Sequence, residues 1–106
     1  MPIDYSNLAL PKHAPARSKA YLDYVREQIC AVNRTASFTQ CGGRTEAAHL
    51  EVAGRSIKAS DFLTVPLCTR HHAEQHSIGI LTFQANHGIG LWETAAHLLA
   101  RWCEGQ

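Results

Sequence analysis

Ten residues, LCTRHHAEQH at 67–76, hold one cysteine and three of the chain's seven histidines. A packed core gains nothing from such polarity, whereas thiolates and imidazoles are the ligands that zinc and other borderline cations take. Cys68 and His71 stand in the C-x-x-H spacing of a zinc knuckle. Upstream, Cys30 and Cys41 supply the other half of a tetrahedral set. Their separation is wider than the usual two to four residues, and Gly42 and Gly43 mark the turn that would return this loop to the metal. Cys30, Cys41, Cys68 and His71 are therefore expected to form a structural zinc site. Cys103 has no partner in the pattern and is expected to be a packing residue.

A second constellation overlaps the first. His72 and His76, four apart, share one helix face and reach a single cation. His71 is turned by about 100° from His72, so one helix start can serve two ions. A two-histidine site leaves coordination positions to water or substrate, which suits catalysis. His49, in EAAHLEV, is the candidate general base, because a neutral imidazole accepts a proton from water near pH 7. Asp61 either orients that imidazole through its other nitrogen or binds the cation directly. Taken singly, His49 reads as a satisfied core histidine, and an HxxxH pair is common on exposed helices. The order of knuckle, strand histidine, knuckle and HxxxH favours chemistry. His13 falls in an N-terminal arm, His87 at a turn with a loop role, and His97 off the apolar stripe of its helix.

These side chains need a frame. Residues 1–16 carry Pro2, Pro11 and Pro15 and read as an extended arm, leaving 17–106 as a single domain. Ser18 can cap a helix over 19–29, with Tyr21, Leu22, Val25 and Ile29 on one apolar face. TEAAHLEV (45–52) and FLTVPLC (62–68) read as strands, with Pro66 confined to an edge or a strand end. Residues 70–77 form the histidine-bearing helix. A short helix and a glycine turn follow over 80–90. Leu91, Ala95, Leu98, Leu99 and Trp102 then define a final amphipathic helix over about 91–103.

Composition narrows the function classes. No run of about twenty apolar residues is present, and the N-terminus lacks a secretory pattern, so the expectation is a cytosolic chain with reduced cysteines. The net charge of +1 is too small to prove a polyanionic partner. Residues 1–70 nevertheless hold nine Lys and Arg against six Asp and Glu, while 71–106 hold one against three.

The run AAHLEVAGRSIKASDFLTVPLCTRHHAEQHSIG resembles the HNH endonuclease superfamily, also called ββα-metal or His-Me finger nucleases, and in particular its small phage and prophage proteins. The shared frame is a helix ending at a cysteine, an AH strand motif, a G…K-x-S-D loop, PLC-x-x-HH-x-x-x-H and a later F…HGI turn, over about residues 17–90. The resemblance implies an α+β fold: a small ββα-metal core with a structural zinc site and flanking N- and C-terminal helices. It makes His49 the general base, and His72 and His76 ligands of the catalytic metal. Cys30, Cys41, Cys68 and His71 become the zinc ligands. Ala48 stands where many members carry an Asp or His that helps bind that metal. The central Asn of the name-giving pattern is absent, with Asp61 an approximate substitute.

The expected activity is hydrolysis of DNA phosphodiester bonds with little sequence specificity, in phage recombination or DNA processing in the bacterial cytoplasm. Mg²⁺ or Mn²⁺ is the expected catalytic cation, with Zn²⁺ or Ni²⁺ as alternatives. Arg55 and Lys58 would hold phosphate oxygens, phage recombination or packaging proteins are candidate partners, and the chain would act as monomer or homodimer. The alternatives are a non-catalytic zinc module that binds DNA or protein, and a purely structural zinc-stapled domain. One tight zinc without nuclease activity would mark the former, and no salt-dependent DNA binding the latter.

Overall fold

In the computed structural model, which describes residues 16–34, 40–50 and 60–105, seven short elements follow one another. They are helix α1 (Lys19–Arg26), a 3₁₀ turn (Ala31–Arg34), strands β1 (Thr45–His49) and β2 (Thr64–Cys68), and helices α2 (Thr69–Ile78), α3 (Ile80–His87) and α4 (Leu91–Gly105). The protein is thus a small α+β unit with a two-stranded sheet and four helices.

Helix α1 begins where the Ser18 hydroxyl accepts the Tyr21 N–H at 3.1 Å, and Lys19 and Arg26 both pair with Asp23 on its outer face. Tyr21 and Val25, one turn apart, are fully buried. The helix was expected to reach Ile29, but it ends at Arg26 and Ile29 is 55% exposed. Its last turn tightens through Glu27 N–H to Tyr24 O and Gln28 N–H to Val25 O, which releases the chain toward buried Cys30.

The strands pair antiparallel, with Thr45 opposite Cys68, Ala47 opposite Pro66 and His49 opposite Thr64. Leu50 donates to Leu63 and Thr69 to Arg44, so by alternation Pro66 sits in a pair that exchanges no hydrogen bonds. In a two-stranded sheet both strands are edges, and Pro66 is tolerated in mid-strand. Alternation puts Glu46, Ala48, Val65 and Leu67 on one face, and Thr45, Ala47, His49, Thr64, Pro66 and Cys68 on the other. All five β2 positions are buried, a strand covered on both sides.

The core joins Val32, Ala48, Leu50, Val65, Leu67, Phe83, Leu91 and Ala95. Burying a Leu or Phe of this kind contributes roughly 1.5–3 kcal/mol. Tyr21, Tyr24, Phe62 and Trp102 stack at centroid separations of 5.0–5.6 Å, and Tyr24 Oη donates to Leu98 O, fastening α4 to α1. Gly79 ends α2 and opens α3 at φ 87°, a conformation that a side chain would strain. Cys103, expected to pack, is exposed: it lies in the last turn of α4, beyond the buried positions Leu91, Ala95 and Leu98. Among the described residues, no helix is long and apolar enough to cross a membrane. Apart from Ala16, the expected arm over 1–16 lies outside the described residues.

Candidate metal centre and histidine sites

The four expected zinc ligands converge from four places in the sequence. Cys30 follows α1, Cys41 opens the loop before β1, Cys68 ends β2, and His71 lies in the first turn of α2. Their ligand atoms all lie within 4.8 Å of one another. His71 Nδ1 stands 3.1 Å from Cys68 Sγ and 3.7 Å from the sulfurs of both Cys30 and Cys41. Ordinary Zn–S and Zn–N bonds at tetrahedral angles would separate S from N by about 3.6 Å. The cluster could therefore hold a metal ion such as zinc.

The local backbone is built for this. At φ 82°, Gly43 adopts a conformation natural only to glycine, and an added Cβ would fall 2.6 Å from Thr69 Oγ1. That close approach carries Cys41 up to α2, where Arg70 N–H donates to Gly42 O and the Arg70 guanidinium to Gln40 O. The N–H groups of Gly42 and His71 each lie 3.4 Å from Cys68 Sγ. Burial raises the Cys68 thiol, but these donors and the neighbouring Cys30 and Cys41 bring it below its ordinary value. Cys41 is pushed up to about 12, by desolvation first and then by Cys30 and Cys68. Three sulfurs so close resist joint ionisation, and a cation at their centre removes that resistance. Burial, and then the charge of His87, lower the pKa of His71, so its ring is neutral near pH 7, as a metal ligand must be.

His49 and Asp61 meet across the top of the hairpin, with Nε2 2.8 Å from Oδ1. Asp61 is buried, and its carboxylate also accepts the Ser18 N–H at 2.8 Å and the Arg17 guanidinium at 3.2 Å. The hydrogen bond from His49, opposed by burial and aided by Ser18 and Arg17, holds Asp61 below the ordinary carboxylate value. An ionised Asp61 accepts a hydrogen bond from His49 Nε2–H, the tautomer whose neutral ring carries its lone pair on Nδ1; the His49 side chain is 38% exposed.

His72 and His76 are brought together on α2, with their Nε2 atoms 3.1 Å apart. Glu46, which sequence reasoning missed, places Oε1 2.8 Å from His72 Nδ1 and accepts the Thr69 hydroxyl on Oε2. The hydrogen bond from His72, opposed by desolvation and aided by Thr69 and Arg44, lowers the Glu46 pKa. The only available signal was strand alternation: Glu46 shares its face with Ala48, two residues on. Among the described residues, the groups of three or more metal-ligating side chains within 4.8 Å are the Cys30–Cys41–Cys68–His71 cluster and His71–Glu74–His87. His49, Asp61, His72 and His76 belong to neither.

His87 departs from its expected loop role. It is the last residue of α3 and is buried, because α3 folds back on α2 and turns that ring inward against Phe83 and His71. His97 is exposed, as expected. Arg55 and Lys58 lie outside the described residues.

A family model described as "Protein of unknown function (DUF968)" matches residues 3–101, and the chain belongs to that family. No curated protein and no solved structure matches the chain.

Proposed function

We propose that this member of the DUF968 family is a metal-dependent endonuclease of the HNH, or ββα-metal, type that hydrolyses DNA phosphodiester bonds with little sequence readout. The observation that carries the reading is the His72–His76 pair. Ionised Glu46 accepts a hydrogen bond from the Nδ1–H of His72, and in that tautomer of the neutral ring the His72 Nε2 lone pair faces His76 Nε2 at 3.1 Å. Two imidazole nitrogens bound to one cation at about 2.0–2.1 Å stand roughly 2.9–3.4 Å apart, so the donor pair fits a divalent ion.

Support also comes from the chain path. A hairpin runs straight into α2 with no linker, so strand and helix histidines ride on one rigid unit. In this reading the Cys30–Cys41–Cys68–His71 cluster holds structural zinc and pins that unit to the end of α1. His72 and His76 would hold a divalent cation, Mg²⁺ or Mn²⁺ with Zn²⁺ or Ni²⁺ as alternatives, which would supply charge neutralisation at the scissile phosphate and the leaving oxygen. His49 takes a proton from the attacking water on Nδ1, while Asp61 fixes its tautomer and stabilises the imidazolium that forms. Glu46 keeps the His72 ring oriented. Arg55 and Lys58 hold phosphate oxygens, so DNA binding weakens steeply with salt.

The test is His49→Ala against plasmid DNA with Mg²⁺ or Mn²⁺. Cleavage is expected to fall about 10²–10⁴-fold, with zinc content and DNA affinity retained. Undiminished cleavage removes His49 from the chemistry. A wild-type protein that binds one zinc and cuts no DNA with any divalent ion is instead the non-catalytic binding module.

A further inference from the structure

His71 is shared by two clusters. Its Nδ1 faces the sulfurs of Cys30, Cys41 and Cys68, and its ring also joins Glu74 and His87 in a group whose ligand atoms lie within 4.8 Å of one another. The second group shares no cysteine with the first. Glu74 follows His71 by three residues, which puts both on one face of α2. His87 comes from the end of α3, with Nε2 2.5 Å from Glu74 Oε1. The His87 side chain is 2% exposed and that of Glu74 33%. The His87 ring meets the His71 ring edge-on, with centroids 5.3 Å apart, and Phe83 packs on His87 at 4.4 Å.

A buried imidazole held against a half-buried carboxylate is an expensive way to fill space, because the ring gives up its water and a polar partner must be found for it. Its position against the one nitrogen ligand of the sulfur cluster gives it a purpose. A ligating histidine is normally oriented by groups beyond the metal, and a nearby carboxylate makes its ring a better electron donor. We propose that Glu74 and His87 are positioning residues of the metal centre, holding the His71 ring in place and strengthening its bond to the ion. His87 anchors the carboxylate, Phe83 anchors His87, and α3 is thereby tied to the metal. The inference rests on reading Cys30, Cys41, Cys68 and His71 as a metal site.

The experiment loads the full chain with Zn²⁺ or Co²⁺ and compares wild type with Glu74→Ala, Glu74→Gln and Glu74→Asp. Zinc affinity is measured by competition with a chromophoric chelator, zinc release by its rate into excess chelator, and the site by the visible spectrum of the Co²⁺ form. Glu74→Ala is expected to weaken zinc binding about 10–100-fold and to shift the Co²⁺ ligand-field bands. Glu74→Gln, which keeps an acceptor for His87 but drops the charge, falls between, and Glu74→Asp recovers part of the loss. A merely structural role would lower thermal stability while leaving affinity, release rate and bands of the folded protein at wild-type values, and that result overturns the proposal. A wild-type protein without thiolate-to-Co²⁺ absorption overturns the metal centre and this inference together. Normal absorption with indifferent Glu74 variants overturns the inference alone.

Discussion

The Asp61 carboxylate joins the end of β1 to the start of α1: Oδ1 lies 2.8 Å from His49 Nε2, while Oδ2 accepts the Ser18 N–H at 2.8 Å. One buried side chain therefore orients the candidate base and closes the frame around it. Asp61→Asn keeps the shape but loses the charge. It should destabilise the fold by about 1–3 kcal/mol, measured by urea denaturation, and reduce cleavage without releasing zinc.

The same carboxylate gives a pH signature. Its folded pKa lies below the unfolded value of about 3.9, so its stabilisation is complete above that value and fades as pH falls toward the folded one. The wild type should lose stability through this acid window, and Asp61→Asn should show a flatter acid limb in thermal melts.

Removal of a metal bound at the sulfur cluster should be felt by the whole fold, because Cys30, Cys41, Cys68 and His71 bring together the end of α1, the loop before β1, β2 and α2. An ion present at a thousandfold excess over its Kd adds about 4 kcal/mol, or roughly 15 °C or more of melting temperature in a domain of this size. Chelation, or Cys68→Ser, should produce a loss of that order, read by calorimetry alongside zinc content.

Glu46→Gln should separate the proposed cation site at His72 and His76 from the sulfur cluster. Gln cannot hold the Nδ1–H of His72 as a carboxylate does, so Mn²⁺ or Co²⁺ binding to zinc-saturated protein should weaken about 10–100-fold by calorimetric titration. Zinc at the sulfur cluster should be unaffected. Unchanged titrations would show that Glu46 does not orient the helix pair.

Gly43→Ala probes the knuckle backbone. At φ 82° with Thr69 Oγ1 2.6 Å from the new Cβ, the variant should lose about 1–3 kcal/mol in chemical denaturation.

Much of the frame was legible because periodicity and caps are local. Ser18 as a helix cap, the apolar stripe of Leu91, Ala95 and Leu98, and strands on either side of the 51–59 segment all follow from neighbouring residues. The cluster of Cys30, Cys41, Cys68 and His71 was legible for a different reason. Few residue types bind that metal, so C-x-x-H plus two further cysteines already restricts the partners. The end of α1 was misjudged because Ile29 continues an apolar spacing that the turn toward Cys30 overrides.

The sequence by itself determined the chemistry available: four soft ligands, a strand histidine and an i, i+4 histidine pair, because side-chain type and helical spacing are properties of the chain alone. Only the tertiary structure decided which carboxylate serves which imidazole. Asp61, left open by the sequence between orienting His49 and binding a cation, goes to His49, Glu46 goes to His72 and Glu74 to His87, over sequence separations of 12, 26 and 13 residues. No local rule selects among a handful of acids at such distances. Strand register and helix packing make the selection, since they alone bring one charge, and not another, within hydrogen-bonding reach of a ring.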